Sequence, residues 1–141
     1  MKKLLKFILA TNESGYSWGL LVIRIAAASL MIPHGLAKLE NFSQMSQQFP
    51  DPLGVGSALS LSLIISAEFF ASILLLFGLF TRLALIPLIF GMGVAVFVIH
   101  GADPMQVKEL AVLYMLVFVG LIITGPGKYS VDRIIADRIK S

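Results

Sequence analysis

The chain of 141 residues contains no cysteine. Thiolate catalysis, disulfide exchange, Cys-held iron–sulfur clusters and CxxCH haem attachment are therefore excluded within it. Charge is nearly as scarce, at 13% of residues against about 25% in soluble domains. With two histidines in all, imidazole chemistry can rest only on His34 and His100. The net charge of +3 is small and unevenly placed. It argues for orientation in a bilayer and contact with anionic lipid, not for nucleic acid. What abounds is apolar, 57% of the chain. The length gives one domain, residues 1–141, and the composition makes it an all-α integral membrane protein.

Glu68 organises the reading. The thirty residues between Asp51 and Arg82 hold no other ionisable group. Their core, SALSLSLIISAEFFASILLLFGLF, exceeds the ~20 apolar residues that cross a bilayer. A carboxylate facing lipid at that depth costs roughly 2.5–3.5 kcal/mol, so Glu68 must face protein, water or a partner charge.

Four spans are expected: 17–36, 56–80, 83–100 and 105–124. Trp18 sits where an aromatic belt would lie, and Pro33 is expected to kink or end the first span. Arg24 lies roughly 10 Å into that span at ~1.5 Å per residue. Residues 39–56, rich in Gln, Pro and Gly, read as a polar loop. Thr81-Arg82 and Gly101–Pro104 are tight connections, so neighbouring spans run antiparallel and form a four-helix bundle. Gly125-Pro126-Gly127 stops the last span. Ser130 then stands as an N-cap for a short amphipathic tail, 130–141, with Val131, Ile134, Ile135 and Ile139 on one face. The opening MKKLLKFILA has no cleavage-site pattern and reads as a retained interfacial anchor.

Four spans put both termini on one side. That side carries eight basic residues: Lys2, Lys3, Lys6, Arg82, Lys128, Arg133, Arg138 and Lys140. The other carries Lys38 and Lys108. The positive-inside rule then places both termini in the cytoplasm. His34, Lys38, His100, Asp103, Lys108 and Glu109 gather at the opposite rim, with Glu68 beneath them. On a helical wheel Arg24, Lys38 and His34 fall at successive intervals of about 40°, and Ser57 and Ser72 fall within about 40° of Glu68. A polar pocket open to the non-cytoplasmic side is the expectation. Its candidate residues are Arg24, His34, Lys38, Glu68, His100, Lys108 and Glu109. Two partners stand open for Glu68: Arg24, which makes it structural, or Lys38, which turns it toward the pocket.

The order Arg24; His34-Gly35-x-x-Lys38; Glu68; Gly78-Leu79-x-Thr81-Arg82; His100; Lys108-Glu109; and the closing Gly125-Pro126-Gly127-Lys128-Tyr129-Ser130-Val131-Asp132 resembles the DoxX family. The likeness runs from about residue 17 to 135. It implies a bacterial inner-membrane protein of four helices, in a family that includes the membrane subunit of an archaeal thiosulfate:quinone oxidoreductase. Any sulfur relay would need another subunit, since this chain has no thiol.

Three functions compete. One is a redox-associated subunit that binds a quinone beside an oxidoreductase partner, soluble or membrane-bound, with Glu68 relaying protons. Another is a non-catalytic scaffold or assembly partner. The last is a metal- or small-solute-handling protein using His34 and His100, although their spacing matches no compact metal motif.

Overall fold

The computed structural model describes residue 9 and residues 13–140, and every regular element among them is a helix. The expected anchor at residues 1–10 lies outside the described residues except for Leu9. Four helices are long and apolar enough to cross a membrane. They are α1 (Glu13–Glu40), α3 (Ser57–Phe77), α4 (Thr81–Ile99) and α5 (Met105–Thr124). A single turn, α2 (Phe42–Met45), interrupts the loop that was expected to be irregular, and α6 (Val131–Ile139) closes the chain.

Helix α1 overruns the expected end at 36 because Pro33 does not stop it. A Cβ built on Gly35 would lie 2.5 Å from the Phe69 backbone nitrogen. The turns beyond Pro33 therefore rest directly on the backbone of α3, and that packing carries the helix past a residue that cannot donate its own N–H. Helix α3 ends earlier than expected. Gly78 takes φ +67°, and Gly78 and Leu79 donate back to Leu75 O and Leu74 O, a Schellman closure that only glycine adopts without strain. Helix α4 starts two residues early because its first amides have an acceptor. Phe80 N–H and Thr81 N–H donate to the two carboxylate oxygens of Asp132, at 2.7 and 2.8 Å.

Two helices are locally wide. Ser66–Ala71 within α3 and Ala95–Ile99 at the end of α4 are π-helical turns. Such turns hold more residues than an α turn and shift every side chain beyond them out of the 3.6-residue register.

The core runs along the bundle axis through Ala28, Met31, Leu75, Leu85, Leu88 and Phe118. Helix α4 packs most extensively on α5, and α1 on α3. Large apolar side chains also cover the outside: Val22, Leu30, Phe70, Phe77, Phe97 and Ile123 are all more than half exposed. In water such a surface would aggregate. Against lipid it is the expected exterior.

Candidate functional site

A charged contact joins α1 to α3. Lys38 Nζ donates to Glu68 Oε2 at 2.5 Å, and the Glu68 side chain is only 7% exposed. Glu68 lies in the wide turn of α3, and it lines a cavity of about 370 Å³. The cavity's walls come from α3, α4 and the loop before α3, and they are mainly apolar: Phe49, Pro50, Leu63, Ile64, Phe90 and Ile99 among them. Both π-helical turns contribute, through Ala67 and Glu68 on one side and Ala95 and Ile99 on the other. Leu63 and Phe90 are at least half exposed on the outer surface. The space therefore reaches the lipid-facing side of the bundle between α3 and α4, and its charged pair sits among mainly apolar walls.

The loop is held over the cavity by Asp51. Its carboxylate accepts from Ser60 Oγ at 2.8 Å, Gly56 N–H at 2.8 Å and Val55 N–H at 3.0 Å. These donors, the Ser60 hydroxyl first, hold the Asp51 carboxyl below its ordinary value. Pro50, Pro52 and Leu53 on either side of Asp51 form the cavity's cover.

Of the residues expected in one pocket, Lys38, Glu68 and His100 line the cavity. His100 Nδ1 lies 2.7 Å from Asp103 Oδ2, at the cavity's edge. Lys108 stands one step back, donating to the carbonyls of His100 and Gly101 at 3.0 Å each. Glu109 is exposed. His34 is exposed too, its ring edge-on to Tyr114 with centroids 6.5 Å apart. The 40° separation on the wheel did not bring it inward beside Lys38. Ser60, not Ser57, is the serine of the wall, and Ser72 is fully buried in the bundle. The wide turn at 66–71 breaks the uniform 100° step on which that stripe was built.

Arg24 belongs to the other end. Its guanidinium donates to Pro126 O at 2.5 Å and Tyr129 O at 2.7 Å. The pairing of Arg24 with Glu68 is therefore not formed; the Lys38 alternative is. Helix α1 thus carries two cations for two jobs. Arg24 ties the Gly-Pro-Gly turn to the bundle, beside the Asp132 clamp and the Trp18–Tyr129 ring contact at 4.6 Å. Gly78 is enclosed there, since a Cβ on it would meet Arg24 Cζ and Ser130 Cβ within 2.8 Å.

The DoxX family model matches residues 19–101, more than half of the chain. The chain belongs to the DoxX family. The match takes in α1, α3 and α4, which hold the charged pair and most of the cavity wall, and it stops before α5. Inner membrane protein YqjF of Escherichia coli is 35% identical over 122 residues, covering 83% of this chain and 92% of YqjF. An uncharacterized protein of Haemophilus influenzae is 33% identical over 118 residues, 79% of this chain and 86% of that one. No solved structure matches. Four apolar spans and an inner-membrane relative make this DoxX protein a multi-pass protein of a bacterial inner membrane.

Proposed function

We propose that this DoxX protein is a quinone-binding membrane subunit that works beside an oxidoreductase, with its termini in the cytoplasm and its slot toward the outer side. The observation that carries the reading is the cavity between α3 and α4. It is mainly apolar, it reaches the lipid face, and a Lys–Glu pair with a buried carboxylate lies on its wall. Ligand sites of about 300–1,000 Å³ with mostly apolar walls and a few convergent polar groups are the usual form for small molecules. An isoprenoid quinone dissolved in the bilayer needs this combination: apolar walls for ring and tail, hydrogen-bond donors for the carbonyls, and a group that carries protons.

Lys38 and His100 are the donors available to ring carbonyls, and Glu68 is the proton carrier. When bound, the quinone supplies a two-electron, two-proton acceptor, and the partner oxidoreductase supplies the electrons. The chain's own groups bind, orient and protonate. The eight basic residues on the side of the termini support the orientation.

The test is equilibrium binding of a short-tailed ubiquinone or menaquinone to the purified, reconstituted protein. Saturable binding is expected, with a loss of roughly 10-fold or more in Glu68→Gln, the loss of about 1.4 kcal/mol. Binding that never saturates overturns the proposal. A scaffold role has one observation in its favour: the same Lys38–Glu68 contact pins α1 to α3. It predicts that Glu68→Gln lowers stability while neither protein binds quinone. Metal handling draws no such support. His34 meets Tyr114 and His100 meets Asp103, and no group of three His, Cys, Asp or Glu residues suited to a metal occurs among the described residues.

A further inference from the structure

A second concavity lies at the opposite end of the bundle, where the α3–α4 turn meets the segment leading into α6. It is an open groove of about 760 Å³ whose lining includes Arg82, Lys128 and Arg133. All three cations are exposed. Two acidic groups are near. Asp132 lines the groove, but each of its oxygens already accepts a backbone N–H, from Phe80 and Thr81. Asp137 accepts from Arg133 Nε at 3.1 Å, an exposed contact within α6 itself. Positive charge remains in excess.

A further observation points to a lipid. Beside the cations, Phe80, just before α4, and Leu83, in its first turn, are 58% and 66% exposed. Helix α6 leaves Ile134, Ile135 and Ile139 exposed as well, the pattern of a helix lying in the bilayer interface. The groove therefore offers cations at headgroup level and an apolar strip running from them toward the hydrocarbon.

We infer that this groove binds one anionic phospholipid, its phosphate between Arg82, Lys128 and Arg133 and an acyl chain along Phe80 and Leu83. The α3–α4 turn and α6 are then joined by lipid as well as by Asp132. This site is separate from the slot at Glu68, and it does not depend on what that slot holds.

The experiment is native mass spectrometry of the full chain released from detergent, titrated separately with phosphatidylglycerol, phosphatidylcholine and soluble glycerol 3-phosphate. Phosphatidylglycerol should be retained at a concentration about 10-fold or more below phosphatidylcholine, with no adduct from glycerol 3-phosphate at matched concentration. Arg82 also donates to Ile122 O at 3.2 Å, so Arg82→Gln risks the fold. Among the described residues, Lys128→Gln/Arg133→Gln breaks the Arg133–Asp137 contact within α6 and no hydrogen bond between helices, so it is the decisive variant. At roughly 5-fold per basic residue near a membrane surface, it should weaken phosphatidylglycerol about 25-fold and leave phosphatidylcholine unchanged. Equal retention of the two lipids, undiminished selectivity in the double variant, or glycerol 3-phosphate binding as well as the lipid would each overturn the assignment.

Discussion

Breaking the Lys38–Glu68 pair from each side should not cost the same. The two side chains are 23% and 7% exposed, so Glu68 is the committed partner and Lys38 keeps a route to solvent. Lys38→Met leaves a carboxylate buried with its donor gone. Removing one member of a buried pair costs about 3–5 kcal/mol, and this substitution should fall in that range. Glu68→Gln leaves an amide oxygen where the carboxylate stood, so Lys38 keeps a neutral acceptor. That loss is closer to 1–2 kcal/mol, the difference between charged and neutral hydrogen bonds.

The double variant removes both charges at once and should cost about 2–3 kcal/mol, less than the sum of the two singles. Equilibrium unfolding in mixed micelles of mild and denaturing detergent reads all three. A coupling energy of roughly 2–4 kcal/mol is expected from the cycle. The same cycle with Arg24→Gln and Glu68→Gln is the control. Arg24 is spent on the carbonyls of Pro126 and Tyr129, so those two losses should add within about 0.5 kcal/mol. Additive Lys38 and Glu68 losses, or coupled Arg24 and Glu68 losses, would refute the assignment of partners. A costlier Glu68→Gln than Lys38→Met would refute the argument from burial.

Gly35→Ala forces a Cβ to within 2.5 Å of the Phe69 backbone and should destabilise the bundle by about 2–3 kcal/mol in the same assay. Gly93→Ala, with nothing within 4 Å of its Cβ, should be neutral or stabilising by up to about 1 kcal/mol. Asp132→Ala takes the acceptors from Phe80 and Thr81. Hydrogen exchange at those two amides should rise by about 10-fold or more, as loss of roughly 1.5–3 kcal/mol per charged hydrogen bond would dictate, while amides in mid-α5 stay protected. Asp51 gives a pH dependence. Its carboxyl sits below the ordinary value, chiefly through Ser60, so its hold on the loop is complete above about pH 4 and is lost as pH falls through the lowered value. The protection of the Val55 and Gly56 amides, taken relative to their intrinsic exchange rates at each pH, should fall in acid, and Asp51→Asn should remove that acid dependence.

What could be read from the sequence, and what could not, divides along a physical line. Hydrophobic length and glycine or proline punctuation depend on local chemistry, and they located four spans and the capped tail to within a few residues. The family resemblance added the motifs that turned out to build the Arg24–Asp132 end. Depth also was legible. Lys38 stands fourteen residues beyond Arg24, roughly 21 Å along α1, so the two could not serve one pocket however close they fall on a wheel. Azimuth was not legible. A wheel assumes 3.6 residues per turn throughout, and α3 and α4 both depart from it at residues that line the cavity. No propensity marks where a helix widens, because a π-helical turn is held by its neighbours and not by its own side chains. Here the neighbour is the bare backbone of α1 at Gly35, pressed onto residues 68 and 69. The glycine that allows this approach and the carboxylate on the cavity wall are thus one structural unit. Replacing the first should disturb the second without touching its chemistry.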